Sequence, residues 1–427
     1  MKTIIPSVKG TRDFYPENMA QRSWLYQKIR QVSEAFGYQE YEAPFLEKID
    51  LYAAKSGEEL VKEQSFVFPD RGGELIALRP EMTPSLTRMV AQRQNDLVLP
   101  MRWWSFGPFW RYEKPQKGRS REFFQWNIDL IGANSAEADA EMIAIAAAFF
   151  KSTGLTPQQV IIKVNNRRMM NQELENLGIL GEIRQSALTL VDRRDKLSPV
   201  AWDAFALEIG LTETQLAALK VLLADVDLWQ KSPELVRLFG AIQAMGLSEY
   251  VRFDPQIIRG LAYYTGNVFE AYDVQGEFRT ILGGGRYDNL VSDVGGEPMG
   301  GVGFAMGDMV ISLVLEKFGV IPNLPLSPAS VLVTVFDEER LPVSLAVAAE
   351  LRQAGLNVNG YPEVAKLPKQ LKFADRMGIR FVVIIGPDEA ANGLVTIKDL
   401  KMHSQQTTPR LQAAETIQKM LATALPS

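Results

Sequence analysis

Two long strand patterns, Met101 to Tyr112 and Arg121 to Ile131, flank the eight residues Glu113-Lys-Pro-Gln-Lys-Gly-Arg-Ser120, and this arrangement limits the fold more tightly than any other feature. Within the second pattern Phe124, Trp126, Ile128 and Leu130 alternate with Gln125, Asn127 and Asp129. A strand turns successive side chains to opposite faces, so the apolar set meets a core and the polar set faces away from it. The chain must therefore build a sheet from two long neighbouring strands with one face buried. The loop between them exceeds the commonest hairpin turns, and a loop of that length usually has a task of its own.

The polar face carries short amide and acid groups in a row. If it looked only at solvent, Lys, Thr or Glu would serve equally well there; Gln125, Asn127 and Asp129 beside Arg111 and Arg121 suit the floor of a ligand pocket. The loop itself is cationic: Arg111, Lys114, Lys117, Arg119 and Arg121 against Glu113 give +4 in eleven residues of a chain whose formal net charge is −5. A solvated charged hairpin is the plain alternative. Its position beside the polar row favours a polyanion-binding loop.

At 427 residues the chain has room for two or three domains. The spacing predicts an amphipathic helix over Pro16 to Phe36, an aromatic-rich extended stretch over Tyr38 to Leu46 broken by Pro44, a strand over Glu74 to Leu78 and a helix over Thr83 to Gln94. Residues from about 165 to 250 read as an inserted helical subdomain, and a β-rich, glycine-rich region returns from Ile257 to Val310. Three prolines within Ile321 to Ser330 mark a linker. Beyond it β and α patterns alternate, which implies a parallel-rich sheet covered by helices. The expected organisation is an α+β domain over 1–325 with an antiparallel sheet flanked by helices and carrying the insertion, then an α/β domain over 331–427.

Composition removes whole classes of chemistry. Without cysteine there is no disulfide framework, thiolate metal site or cysteine nucleophile, and the single histidine, His403, excludes a polyhistidine metal centre. Any metal would be hard and oxygen-bound. The amino-terminal residues lack the apolar core of a signal peptide, and the longest aliphatic and aromatic run, Met142 to Phe150, is too short to span a bilayer, so the expectation is a cytoplasmic protein without a membrane segment.

Three further clusters carry polar groups at element junctions. Leu78-Arg-Pro-Glu-Met-Thr-Pro84 places Glu81 and Thr83 at a helix start, where ordinary capping is the competing explanation. Arg259-Gly-Leu-Ala-Tyr-Tyr-Thr-Gly266 joins an arginine to two tyrosines, and Leu282-Gly-Gly-Gly-Arg-Tyr-Asp-Asn289 has three glycines that would let backbone approach a ligand closely.

Taken together and in this order, with Lys9-Gly-Thr-Arg-Asp13 at the start, these residues resemble the histidyl-tRNA synthetases, a class II aminoacyl-tRNA synthetase family, over essentially the whole chain. In that resemblance the first helix and the strand with Pro44 are motif 1, which implies a homodimer, and Phe109 to Phe123 is motif 2. Arg259 to Gly266 and Leu282 to Asp288 look like the two histidine-specific signatures, and the part from 331 looks like an anticodon-binding domain. The resemblance implies ATP, L-histidine and tRNA(His) as substrates. It also implies that Glu81, Thr83 and Gln125 hold the substrate α-amino end and that Asp129, Tyr263, Tyr264 and Tyr287 surround the imidazole. Arg111 would clamp the α-phosphate, Arg259 would bridge it to the histidine carboxylate, and Arg119 and Arg121 would add to the ATP site. Such a reaction brings anion to anion, so fixed guanidinium groups must neutralise the growing charge, with Mg²⁺ on the phosphates.

Two positions depart from that pattern. Val310 stands where motif 3 leads one to expect an arginine against ATP, and Ala262 replaces the acid expected before the tyrosine pair. A regulatory, histidine-sensing synthetase relative, of the kind that serves ATP phosphoribosyltransferase, is the alternative that Val310 favours. The cationic loop and the domain after 330 oppose it.

Overall fold

The computed structural model describes residues 4–53, 64–259 and 263–422. The chain divides into two compact units, one of residues up to Asp13 together with Trp24–Ile321, the other of Phe14–Ser23 together with residues from Pro322.

In the first unit the strands are β1 (Gln39–Glu40), β2 (Leu46–Lys48), β3 (Phe66–Pro69), β4 (Leu75–Leu78), β5 (Met101–Trp110), β6 (Glu122–Ile131), β7 (Val160–Asn166), β8 (Val251–Phe253), β9 (Asn267–Asp273), β10 (Leu282–Tyr287) and β11 (Gly301–Gly307). Eight of them form one sheet in the order β1-β5-β6-β11-β10-β9-β7-β8. Its six central strands pair antiparallel, while the two edge pairs, β1 with β5 and β7 with β8, are parallel. A small antiparallel sheet, β2-β4-β3, stands beside it in the sequence order of the first third of the chain.

The apolar face of β6 lies on the helix Ala136–Thr153. That helix is buried along most of its length, alanines included, and Phe149 meets the sheet. Trp126 is fully buried, 5.4 Å from the Phe149 ring and 4.9 Å edge-on from Phe304 of β11. Burying each such side chain is worth about 1.5–3 kcal/mol. The helix begins where Ser135 accepts from the Ala138 amide and ends at Gly154, whose φ of 88° is a left-handed stop.

The insertion is helical as expected, with helices Arg167–Asn176, Gly181–Asp192, Pro199–Glu208, Glu213–Leu222 and Pro233–Ala244. Asn166, Ser198, Thr212 and Ser232 cap four of them through their side chains. The strand β7 that leads into it does not follow from the sequence pattern. Both of its faces are buried, so Val160-Ile-Ile-Lys-Val164 shows no alternation to read.

The second unit holds β12 (Val331–Val333), β13 (Val358–Gly360), β14 (Phe381–Ile384), β15 (Leu394–Asp399) and β16 (Ser404–Pro409), in the order β13-β12-β14-β15-β16. The first three are parallel and joined through the helices Leu341–Gln353 and Leu367–Arg376. The expected parallel-rich sheet is thus half of what is present, because β14, β15 and β16 pair antiparallel. The strand β16 reads Ser-Gln-Gln-Thr-Thr-Pro and is an exposed edge, so no apolar pattern announces it.

Candidate active site

Residues opposite one another in an antiparallel pair share a face. Gln125, Asn127 and Asp129 on β6 therefore look out beside Gly307, Ala305 and Gly303 on β11, and beside Gly107, Ser105 and Trp103 on β5. One strand further, Gly283 and Gly285 of β10 lie opposite Ala305 and Gly303. The result is a floor whose polar row on β6 is flanked on the β11 and β10 side by glycine and alanine, with almost no side-chain bulk there.

The glycines act differently from the expectation that they bring backbone to a ligand. A Cβ at Gly303 would overlap the Asp129 carboxylate, and one at Gly283 would overlap the Arg259 guanidinium. Gly284 turns to the core against Phe269 and Phe304. Their absence of side chain makes room for the protein's own functional groups, because successive residues of β10 alternate between floor and core.

Asp129 is 5% exposed and accepts a hydrogen bond from the Tyr287 hydroxyl at 2.7 Å. Burial pushes its carboxyl up to about 7, against the opposing effect of that hydrogen bond. Tyr287 is itself pushed well above the ordinary phenol range by burial and by the Asp129 charge. The Tyr263 ring stands 6.5 Å away and almost perpendicular to Tyr287, and 4.7 Å from Tyr264. These four predicted residues come together in one buried cluster. A fifth was not read from the sequence: Tyr41, whose ring lies 5.3 Å from Trp103. Its hydroxyl is buried with no hydrogen-bond partner among the described residues, and its acidity is weakened by burial and then by Asp129. The aromatic-rich stretch signalled Tyr41, but nothing local said which way it faces.

A cavity of about 370 Å³ opens on the same face, lined among others by Arg111, Arg119, Gln125, Arg259, Glu270 and Arg279. Arg111 Nε donates to the Pro80 carbonyl at 3.0 Å, and its guanidinium lies 5.3 Å over the Phe123 ring. Arg119 pairs with Glu113. Arg259 Nη1 is 3.1 Å from Glu270 Oε1, and its guanidinium sits 5.6 Å over Tyr264, which links the cavity to the tyrosine pocket. Arg259 has φ of 56°, a left-handed conformation costing of order 1–3 kcal/mol for a side chain of this size. Ala262 lies outside the described residues. Glu270 and Arg279 belong to no motif recognised in the sequence; Glu270 reaches the site because β9 pairs it with Gly283.

Arg121 is not on the cavity wall. Its guanidinium lies 4.1 Å over Tyr112, with Nε donating to the Glu113 carbonyl at 3.3 Å. Glu81 and Thr83 sit at the start of the helix Thr83–Arg93, yet the residue at its N-cap is Met82 and no side chain caps it. The capping explanation therefore does not account for them. Glu81 is close enough for its charge to help push the Tyr263 and Tyr264 hydroxyls above the ordinary phenol range, after the larger effect of burial. The segment is anchored by Arg79, fully buried between the rings of Phe45 at 4.6 Å and Phe109 at 4.5 Å.

An antiparallel sheet with helices on its buried face, a polar floor and arginines lining the cavity above it is the arrangement expected of a class II aminoacyl-tRNA synthetase catalytic domain. Comparison with known proteins narrows the class. The family model for histidyl-tRNA synthetase matches residues 10–309, and that for an anticodon-binding domain matches 329–420. The histidine–tRNA ligase of Opitutus terrae is 37% identical, covering 98% of this chain and 99% of its own. The chloroplastic/mitochondrial histidine–tRNA ligase of Arabidopsis thaliana is 36% identical over 93% of this chain and 83% of its own. The crystal structure of histidyl-tRNA synthetase from Nostoc sp. PCC 7120 superposes with a TM-score of 0.84 at 28% identity, covering 98% of this chain and all of that one. The chain belongs to the histidyl-tRNA synthetase family.

Proposed function

We propose that the chain joins ATP and L-histidine into histidyl-adenylate, releasing pyrophosphate, and then passes the histidyl group to the 3′ end of tRNA(His) with release of AMP. The observation that carries this reading is the Asp129–Tyr287 pair, a buried acceptor among tyrosines, set beside an arginine-lined cavity on the same sheet face. In the first step a carboxylate oxygen of histidine attacks the α-phosphorus as the bond to pyrophosphate breaks. Arg111 holds the α-phosphate, and Arg259 bridges it to the attacking carboxylate, so that negative charge gathering at the centre meets fixed donors. Glu81, Thr83 and Gln125 hold the α-amino end, while Asp129, Tyr263, Tyr264 and Tyr287 take the imidazole. Arg119 adds to the phosphate site, and Arg121 acts on the loop backbone from behind. No protein nucleophile takes part.

Among the described residues no group of three acids or histidines forms a metal cage. Separate carboxylates of Glu113, Glu270 and Asp308 on the cavity wall suit Mg²⁺ that arrives on the phosphates, since this ion is commonly held by one or two carboxylates plus substrate oxygens. When bound it supplies charge neutralisation.

The unit from Pro322 reads the tRNA, with the limits 1–325 and 331–427 as the division of labour. Phe45, Leu46, Val67, Phe68 and Leu75, each 38–52% exposed on or beside the small sheet, support a homodimer. Among the described residues no helix is long and apolar enough to cross a membrane, and a cytoplasmic location is part of this reading. A histidine sensor would need the tyrosine pocket alone; four arginines kept around the cavity support the enzyme. Histidine-dependent exchange of labelled pyrophosphate into ATP, with the other amino acids as controls, tests the reading. Exchange with histidine alone is expected, and histidine binding without exchange would move the chain to the regulatory role.

A further inference from the structure

We propose that Arg279 binds the β,γ end of the ATP triphosphate, on the side of the cavity where position 310 offers no cation. The inference rests on the reading that ATP fills this cavity.

Four arginines line the cavity, and their commitments differ. Arg119 is paired with Glu113 and Arg259 with Glu270, and the third wall carboxylate, Asp308, is held by Arg12 at 2.8 Å. Arg111 and Arg279 are left as the two cavity arginines without a carboxylate. Arg111 still gives its Nε to the Pro80 carbonyl. Arg279 makes no hydrogen bond or ion pair with any described residue, and it is exposed. Arg111 follows β5 and Arg279 precedes β10, so the two stand on opposite sides of the floor strands β6 and β11. A ligand carrying several negative charges in a row is what such a pair recognises.

The backbone that carries Arg279 is held in place. Asp273 accepts from the amides of Glu277 at 2.9 Å and Phe278 at 3.0 Å, closing the turn after β9. The Phe278 ring lies 5.3 Å from Lys117 Nζ of the cationic loop and 5.5 Å from Lys317 Nζ at the end of the helix Asp308–Lys317. This corner therefore brings together the loop, the helix and the turn. The helix wall of the cavity is apolar at Met309 and Val310. Val310 is 9% exposed, and a Cβ placed at Gly118 would lie 3.4 Å from its Cγ2, so the loop already occupies the space in front of it. The cation expected from position 310 comes instead from position 279.

The test is pyrophosphate exchange by the full-length protein and its Arg279→Ala, Arg279→Gln and Arg279→Lys variants. Arg279 is exposed, so the variants should fold. Removing one charge-assisted phosphate contact should raise KM for both ATP and pyrophosphate roughly tenfold in the Ala and Gln variants, with partial recovery in the Lys variant. KM for histidine and for tRNA should hold. Unchanged KM for ATP and pyrophosphate would overturn the assignment. So would an increase for ATP alone, which marks a contact to the nucleoside, or for tRNA alone, which marks an acceptor-end contact. Direct calorimetric titration with ATP reads the same variants even if the wild-type protein shows no exchange; that result would remove the proposed function, while loss of ATP binding in Arg279→Ala would still place the residue on the phosphates.

Discussion

Tyr287 and Asp129 lie 158 residues apart, on strands separated by β11, and yet their side chains meet at 2.7 Å with both groups almost fully buried. The hydroxyl occupies one carboxylate oxygen, Oδ1, leaving the other for a ligand. A histidine side chain offers an N–H where leucine or phenylalanine offers none, and a wrong substrate would leave a buried charged acceptor unmatched. Asp129→Ala should raise KM for histidine at least about a hundredfold while KM for ATP stays within a few fold. An unchanged histidine requirement would remove Asp129 from the substrate site.

The raised pKa of the Asp129 carboxyl gives a stability signature. In the folded protein it holds its proton up to about 7, whereas an unfolded aspartate loses it near the ordinary value of 3.8. Between those values the folded state binds more protons, so this group's contribution to stability falls as pH rises through the window and is level above it. Asp129→Asn removes the titration. Its melting temperature relative to wild type should therefore climb between pH 4.5 and pH 7.5 in the absence of ligand, about the window those constants define. A constant difference across that range would assign the carboxyl an ordinary acidity.

Tyr41 has a buried hydroxyl without a partner among the described residues, a state that costs about 1–3 kcal/mol unless a ligand supplies one. Tyr41→Phe should leave the apoprotein as stable as wild type or slightly more so, while KM for histidine rises roughly tenfold. Loss of stability with intact histidine binding would show a structural hydroxyl instead.

Arg259 is held in a left-handed conformation, with its Nε buried and without a hydrogen-bond acceptor among the described residues. A donor kept ready in this way gains most as charge develops in the transition state. Arg259→Ala should lower the maximal exchange rate about 10²-fold to 10³-fold, with a much smaller effect on histidine binding measured by calorimetry. Weakened binding with a normal maximal rate would make it a ground-state contact.

All of the proposed reacting groups lie before position 310. A chain ending at Ser330 should keep measurable histidine-dependent exchange and lose most tRNA charging, because phosphate and base contacts set the register of a bound tRNA. Circular dichroism is the check that the shortened chain folds. Equal loss of both activities in a folded chain would count against the division.

Local pattern sufficed wherever the period of the sequence matches the environment of the element. The strict alternation from Phe124 to Leu130 by itself places Gln125, Asn127 and Asp129 on one face, and the helix Pro16–Ala35 follows from its stripe of Leu25, Ile29 and Val32. The cationic loop, the absence of cysteine and the motif order were equally plain in the residues. Position in space was not. Only the insertion of β11 between β6 and β10 sets Gly303 against Asp129 and leaves room for the carboxylate. Only the antiparallel register of β9 with β10 puts Glu270 under Arg259, and only the turn held by Asp273 delivers Arg279 to the cavity. Sheet order is decided by contacts between residues far apart in the chain, whose closure no local period encodes. For that reason the sequence named most of the proposed site, and the fold decided which of its glycines, arginines and tyrosines meet.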